Sequence, residues 1–279
     1  MSEKLKGCVC LVTGATRGIG KGIAIELGQA GAIVYITGRT LKSDGKNVGA
    51  SLEDTAEAIN SGNGECIPVA VDHTDDEQVA KLFDRIEREQ NGRLDILVNN
   101  AYSAVGFLLN NVDKPYFEIE SKSPGEAWDI INNVGLRNNY ICCVLATKLM
   151  RNYQEKLRNS GVSSDQCRSG LIVNISSIGA RIYFFNVPYG AAESPQLSGK
   201  VIIAIANEKR HKLLSRNGQV VLTCDVAEEY NIMEPDGRKP INLRSLQLAM
   251  KSKCSLLGYL IPGFIRIPLS MVEYFLRRK

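Results

Sequence analysis

The sequence predicts an α/β protein in which one doubly wound parallel sheet lies between two layers of helices, as a single domain. Short apolar runs alternate with segments of helical periodicity through the first two-thirds of the chain. The runs are continuously apolar, as expected for strands that are buried on both faces. The chain has 279 residues, of which 44% are hydrophobic and 23% charged. This composition excludes collagen-like, disordered and coiled-coil proteins, and the length is enough for a full core.

Five strands and four helices follow one another along the first part of the chain. The strands are predicted at residues 7–13, 33–37, 66–71, 94–98 and 171–175. The helices are predicted at residues 19–30, 51–61, 75–90 and 125–157, where apolar residues recur at helical spacing. Ser51 is a suitable N-cap for the second helix, because Glu53 and Asp54 follow in its first turn.

A glycine-rich turn joins the first strand to the first helix at residues 13–20. We predict that a dinucleotide pyrophosphate binds there on Gly14, Gly18, Ile19 and Gly20. Glycine permits the tight turn and lets backbone N–H groups approach the phosphates. A P-loop is excluded, since the spacing is one residue too long and no Ser or Thr stands where magnesium would bind. Its position between a strand and a helix predicts a Rossmann-type fold. The alternative interpretation of the turn is a plain glycine turn that binds no ligand.

The residue that follows the second strand favours NADP(H) as the cofactor. NAD-binding proteins place Asp or Glu there to bind the ribose hydroxyls, whereas this chain has Arg39. Together with Arg17, Arg39 can pair with a 2′-phosphate through charge-assisted hydrogen bonds. Two exposed arginines without a ligand are the alternative interpretation.

Six motifs in this order resemble the short-chain dehydrogenase/reductase family. They are the turn TGATRGIG, Asp72, Asn99-Asn100-Ala101 with Tyr102 in place of a glycine, Asn133, Ser177 and Tyr189. The resemblance implies that Asn133, Ser177 and Tyr189 are catalytic. It also implies that Asp72, Asn99 and Ala101 contact the cofactor, that the substrate is a small carbonyl or alcohol compound, and that the chain forms a homo-oligomer.

The resemblance also implies a reaction, in which a tyrosine hydroxyl donates a proton to the substrate carbonyl oxygen while NADPH donates a hydride to the carbon. The pKa of a free tyrosine is near 10, and the family lowers it with a lysine four residues further on. In this chain Glu193 stands at that position after Tyr189. A carboxylate there raises the pKa of the tyrosine, which is the wrong direction for proton transfer at pH 7.

Compared with the family pattern, the chain lacks a segment of about 40–70 residues after the Tyr189 motif, judged from ordinary element and loop lengths. The fold is therefore expected to be one strand and one helix short. A helix at 197–208 and a strand at 220–224 are predicted to follow, and this strand would be the sixth of the sheet, beside the fifth. We assign residues 1–230 to the dinucleotide-binding domain, incomplete after residue 190, and residues 231–279 to an apolar C-terminal tail.

Two functions follow from these observations. The first is an NADPH-dependent oxidoreductase of this family that reduces a carbonyl substrate with Tyr189 as the proton donor. The alternative is a catalytically impaired pseudoenzyme or truncated isoform that binds NADP(H) at most, because Glu193 replaces the lysine.

Charge and cysteine content bear on partners and location. The net charge of +4 is too small to indicate a nucleic-acid partner, and two histidines leave little material for a metal site, so none is predicted. Eight cysteines without CxxC spacing and no secretory signal indicate a cytoplasmic protein with reduced thiols. The apolar residues 256–279 end in basic residues and suit contact with an intracellular membrane such as the endoplasmic reticulum. Packing of this tail on the protein body is the alternative.

Two single residues complete the predictions. Trp128 is expected in the core, and His73 is expected to be a solvated loop residue rather than part of an adenine pocket.

Overall fold

A five-stranded parallel sheet forms the centre of the computed structural model, which describes residues 4–43, 49–62, 64–111, 114, 116–163, 167–176, 195–240, 242, 244–245, 267–268 and 271. The strands are β1 (Val9–Val12), β2 (Ile33–Gly38), β3 (Glu65–Ala70), β4 (Ile96–Asn99) and β5 (Leu171–Asn174). Their order across the sheet is β3-β2-β1-β4-β5, and every pair is parallel. The order reverses between β1 and β4, which confirms the doubly wound, Rossmann-type topology.

Nine α-helices connect and follow these strands within the described residues. They are α1 (Gly18–Gln29), α2 (Leu52–Asn60), α3 (Asp76–Glu89), α4 (Val105–Asn110), α5 (Pro124–Asn132), α6 (Asn139–Asn159), α7 (Pro195–Ala206), α8 (Arg210–Ser215) and α9 (Thr223–Glu229), with a 3₁₀ turn at Tyr116–Glu118. The short helices α4, α8 and α9 contain too few turns for a periodic pattern, and no pattern predicted them.

The two faces of the sheet carry two separate apolar clusters, because successive strand residues point to opposite sides. On one face Cys10, Val12 and Val34 pack with residues of α1, α2 and α7. On the other face Leu11 and Tyr35 pack with residues of α3 and α6. This arrangement confirms the prediction of a three-layer α/β fold.

Helix α7 packs closely on α1 and lies near its predicted position at 197–208. A Cβ atom added to Gly199 would lie 2.6 Å from the Cβ of Glu26 and 3.1 Å from the Cα of Ile23. Only glycine allows the two helix backbones to approach so closely. Ile202 and Ala206 continue the contact into the core cluster on this face of the sheet.

The prediction of a sixth strand at 220–224 is wrong. Residues 219–222 are irregular, Val220 is 69% exposed, and no strand follows β5 among the described residues. The chain enters α9 at Thr223 instead, and Asp225 lies in the first turn of that helix. An acidic residue there stabilises a helix start, and the three-residue spacing of Cys224 and Ala227 buries both on one helix face.

The predicted long helix at 125–157 is divided in three. Between α5 and α6 the backbone forms a π-helical segment, Asn133–Asn138. The side chain of Asn139 donates a 2.7 Å hydrogen bond to the carbonyl oxygen of Gly135, so a side chain competes for the backbone acceptor. The prediction that Trp128 lies in the core is also wrong. Its side chain is 66% exposed, because the helical face that carries it has no described neighbour packed on it.

The described residues fall into two units, one with residues up to 175 together with 195–219, the other with Ser176 and the residues from 220 onward. The first unit holds the sheet and α1 to α8. In the second unit, Asn242 donates hydrogen bonds of 3.1 Å to Asp225 and 2.9 Å to Glu228. None of the helices in the described part of the chain is both long enough and apolar enough to cross a membrane.

Candidate active site

The glycine-rich turn lies at the carboxyl end of β1, where its backbone is fixed by the segment that follows β4. The hydroxyl oxygen of Thr13 accepts hydrogen bonds from the N–H groups of Asn100 (2.9 Å) and Ala101 (3.0 Å). Gly14 has a φ of 68°, which a residue with a side chain rarely adopts. Moreover, a Cβ atom there would lie 2.8 Å from the Cα of Ala101. Gly14 therefore allows the turn to pass directly over the β4 segment.

Asn100 holds the turn with its side chain, a role that was not predicted from the sequence. Its Nδ2 donates 2.9 Å hydrogen bonds to the carbonyl oxygens of both Thr13 and Gly14. A Cβ atom on Gly20 would lie 2.4 Å from this Nδ2 and 2.5 Å from the oxygen of Gly14. The glycine at position 20 is thus needed for the Asn100 contact. The only sequence signal for this role is the pair of adjacent asparagines after an apolar strand.

The start of α1, like those of the short helices α4 and α8, has neither a side-chain cap nor an acidic residue in its first turn. By contrast, helices α2, α3 and α5 are capped by the side chains of Ser51, Asp75 and Ser123, and each has at least one acidic residue in its first turn. In α1 the N-cap residue Arg17 makes no side-chain cap hydrogen bond, and the first turn has no acidic residue. Its N–H groups and the positive end of the helix dipole therefore suit a pyrophosphate. Gly18, at a φ of 58°, has no atom within 4 Å of a Cβ position, which leaves room for such a group.

The carboxyl end of β2 lies against this turn. A Cβ atom on Gly38 would lie 2.7 Å from the Cγ2 of Thr16. Arg39 follows with an exposed side chain. Its charge also contributes to the low pKa of Asp72, although the main cause is the N–H of Thr74, which donates a 2.9 Å hydrogen bond to the carboxylate. The structure thus brings Arg39, Asp72 and the turn together at one end of the sheet.

The expectation that His73 is solvated is wrong. The residue is 5% exposed, and its ring contacts Thr37 and Asn138. The Nε2 atom lies 2.7 Å from the hydroxyl oxygen of Thr37, and Nδ1 lies 2.7 Å from the Oδ1 of Asn138. Burial lowers the pKa of His73, which favours the neutral ring. A loop position after a strand gave no sign of this burial, because the partners come from β2 and from the π-helical segment.

Asn99 is the last residue of β4, and its side chain points into the protein. It is fully buried, and its Nδ2 donates a 2.8 Å hydrogen bond to the Oδ1 of Asn174 and contacts the Sγ of Cys143 at 3.3 Å. A third contact of 3.4 Å reaches the carbonyl oxygen of Asn139. In this arrangement the side chain fastens β4 to β5 and to α6.

Asn133 begins the π-helical segment and is half-buried. The ring of Tyr102 packs on the same segment, since a Cβ atom on Gly135 would lie 2.7 Å from its Cδ2. Three buried amide atoms nearby have no hydrogen-bond partner among the described residues: Asn99 Oδ1, Asn138 Nδ2 and Asn139 Oδ1. Ser177, Tyr189 and Glu193 lie outside the described residues, so their predicted roles stay predictions.

Sequence comparison identifies relatives along nearly the whole chain. Residues 8–194 match the sequence profile of the family described as short chain dehydrogenase. Dehydrogenase/reductase SDR family member 1 of Mus musculus is 35% identical over 338 aligned positions, which cover 99% of this chain and 99% of the relative. The Homo sapiens protein of that name is 35% identical over 331 positions, with 96% of each chain covered. Since this chain has 279 residues, at least 59 positions of the 338 have no residue of this chain.

A solved structure agrees with the fold. A protein of Sinorhizobium meliloti 1021, assigned to the short-chain alcohol dehydrogenases, superposes with a TM-score of 0.50 at 29% identity. The superposition covers 78% of this chain and 71% of the other.

Proposed function

The chain belongs to the short-chain dehydrogenase family, and we propose that it is an NADP(H)-dependent oxidoreductase acting on a small carbonyl or alcohol compound. The observation that carries this proposal is the start of α1. Its N–H groups lack an internal cap, and the turn before it is held in place by Asn100. In the proposed complex Gly14, Gly18, Ile19 and Gly20 bind the pyrophosphate, with Ala101 packed beneath the turn.

The choice of NADP(H) over NAD(H) is supported by the charges at the end of β2. Arg39 is exposed there, no acidic residue follows the strand directly, and Arg17 is exposed at the start of α1. In the proposal both guanidinium groups pair with the 2′-phosphate, and Asp72 accepts a hydrogen bond from the adenine.

The test of this choice is Arg39→Asp, with NADPH and NADH titrated separately by fluorescence. We expect a loss of ~10- to 100-fold in NADPH affinity, as for a charge-assisted hydrogen bond, and a change of less than about threefold for NADH. Arg88→Asp, on the distant α3, is the control that carries the same change in charge. Equal losses for the two cofactors would remove the assignment.

The proposed chemistry uses three residues of the chain. The hydroxyl of Tyr189 donates a proton to the carbonyl oxygen of the substrate, and the hydroxyl of Ser177 orients that oxygen. In the proposal Asn133, at the first position of the π-helical segment, helps to hold a water molecule beside the reacting groups. When bound, the reduced dinucleotide supplies the hydride.

Tyr189→Phe tests this assignment. It should abolish NADPH-dependent reduction, because the ring then has no proton to donate. Tyr140→Phe is the matched control, since Tyr140 is 71% exposed on α6 and has no proposed role. Wild-type turnover in Tyr189→Phe would show that the proton comes from elsewhere.

A second candidate function is supported by Glu193 and by the alignment. A carboxylate four residues after Tyr189 replaces the amine that would lower the pKa of the tyrosine, and the loss of such acid–base help costs ~10²–10⁴ in rate. At least 59 positions of the alignment with the Mus musculus protein lie opposite gaps in this chain. We place these gaps after Tyr189. The chain would then be a pseudoenzyme or truncated isoform that binds NADP(H) at most.

Thermal unfolding with and without NADPH separates the two functions. A rise in the midpoint with NADPH, together with turnover, supports the oxidoreductase. A rise without turnover supports the pseudoenzyme, because a ligand that binds only the native state raises the midpoint. If Glu193→Lys then restores turnover, the replaced lysine is the cause of the impairment. The absence of any shift would refute NADP(H) binding by this chain.

Three further parts of the proposal concern assembly and location. The domain is taken to end near residue 230, and residues 231–279 to form the C-terminal tail. Membrane contact through 256–279 stays a prediction, because only Ile267, Pro268 and Met271 of that segment are described. A cytoplasmic location also stays a prediction. Formation of a homo-oligomer also stays a prediction.

A further inference from the structure

The buried imidazole of His73 connects two parts of the proposed site, the glycine-rich turn and the π-helical segment that begins at Asn133. His73 lies between the carboxyl end of β2 and the last residue of the π-helical segment, in contact with Thr37 and Asn138. Both contacts are 2.7 Å long, and all three residues are at most 5% exposed. A buried contact of this kind is not exchanged for water as easily as a surface contact.

The hydrogen-bonding capacities of the three groups define one arrangement of protons. The Oδ1 of Asn138 can only accept, so the Nδ1 of His73 carries the hydrogen. In a neutral ring Nε2 is then an acceptor, and the hydroxyl of Thr37 donates to it. The chain of donors runs from Thr37 through His73 to Asn138 in one direction.

Each end of this chain is attached to a part of the proposed site. The carbonyl oxygen of Thr37 accepts a 2.9 Å hydrogen bond from the N–H of Ala15, which belongs to the glycine-rich turn. Asn138 ends the segment that Asn133 begins. The Nδ2 of Asn138 has no partner among the described residues, so contacts of Oδ1 alone orient this amide. The other of these contacts is the Sγ of Cys142 at 3.4 Å, a weak donor.

We propose that His73 is a positioning residue that couples the order of the dinucleotide-binding turn to that of the segment 133–138. A ligand that immobilises the turn also immobilises Thr37, which is bonded to it. Because His73 contacts both Thr37 and Asn138, the motion of Asn138 and of the segment that begins at Asn133 is then also reduced. The expected response of the segment to a bound dinucleotide rests on the proposed function. The connection through Thr37, His73 and Asn138 does not.

A second attachment of the same segment provides a comparison. Arg137 donates two hydrogen bonds of 2.6 Å to the carboxylate of Asp76 at the start of α3. Both side chains are about half exposed, at 54% and 47%, and neither contacts the turn among the described interactions. Arg137→Ala should therefore loosen the segment without altering its response to a ligand at the turn.

The first test uses the full chain without ligand and measures amide hydrogen exchange by mass spectrometry. Thr37→Val removes the hydroxyl donor and keeps the shape of the side chain. It should speed exchange at 133–138 by on the order of fivefold, as for the loss of one buried hydrogen bond, and leave residues 149–158 unchanged. Thr37→Ser should restore the wild-type rate. Tyr35→Phe is the control, because it removes another buried hydroxyl of β2, which donates a 2.7 Å hydrogen bond to Glu89 and bonds neither to the turn nor to His73.

The second test adds NADPH. In the wild type we expect slower exchange both at the turn, residues 13–20, and at 133–138. In His73→Asn, whose amide can still donate to Asn138 but cannot reach Thr37, the turn should respond and the segment should not. A full response of the segment in His73→Asn, or unchanged exchange in Thr37→Val, overturns the proposal. If NADPH neither slows exchange at residues 13–20 nor raises the midpoint of thermal unfolding, the proposed function fails. The coupling is then decided by the exchange measured without ligand.

Discussion

Replacement of Gly20 by alanine tests how the turn is built. The residue lies in the first turn of α1 at ordinary helical φ, so alanine is tolerated by the backbone itself. The added Cβ would lie 2.4 Å from the Nδ2 of Asn100 and 2.5 Å from the carbonyl oxygen of Gly14. Neither distance is compatible with van der Waals contact. The Asn100 side chain must therefore leave, and the turn must move away from the helix.

The magnitude follows from the contacts that are lost. The two hydrogen bonds from Asn100 contribute ~1 kcal/mol each, and overpacking against the backbone costs a further ~1–3 kcal/mol. Alanine recovers about 1 kcal/mol through its higher helix propensity. The expected net loss is about 2–4 kcal/mol, which lowers the melting temperature by about 4–16 °C in a chain of this size.

Differential scanning calorimetry and fluorescence titration with NADPH measure the two consequences. Gly125→Ala is the matched control, because Gly125 also lies in the first turn of a helix and has no atom within 4 Å of its Cβ position. That variant should be as stable as the wild type or slightly more stable. If Gly20→Ala kept both the melting temperature and the NADPH affinity, the close contact between α1, Asn100 and the turn would be wrong.

Three other predictions address the core. Gly199→Ala should cost ~1–3 kcal/mol in urea unfolding, because its Cβ would meet the backbone and side chains of α1; an unchanged midpoint would contradict the packing of α7 on α1. Burial lowers the pKa of His73, so the wild type should lose stability relative to His73→Gln as the pH falls below the unfolded value of about 6.5, by at most ~1.4 kcal/mol per pH unit. Parallel pH profiles for the two proteins would be the contrary result. Burial raises the pKa of Cys66 to about 12, so its thiol should resist iodoacetamide at pH 8 in the folded chain. Labelling as fast as in urea would count against its burial.

Much of the fold was predictable because its signals are local. All five strands of the sheet begin and end within two residues of the predicted bounds, and Ser51 caps α2 as expected. The glycine-rich turn was predictable for the same reason, since glycines between a strand and a helix report on a few neighbouring residues. The resemblance to a family predicted Asp72 as a cofactor contact and Asn133 as a catalytic residue. The structure brings Asp72 close to Arg39 at the end of β2.

The tertiary structure alone decided what the side chains of Asn99, Asn100 and His73 contact. Asn99 and Asn100 are adjacent, but alternation along the strand turns the first into the protein and lets the second hold the turn. His73 is buried because β2 and the π-helical segment each supply a partner, 36 and 65 residues away in sequence.

Trp128 and residues 220–224 show the converse. Their apolar character predicted burial for Trp128 and a strand for 220–224. However, an apolar residue is buried only where another element lies against it. A strand forms only beside a strand whose backbone N–H and C=O groups are still unpaired. Periodicity encodes how a segment can fold, whereas the contacts between distant segments determine whether it has a partner.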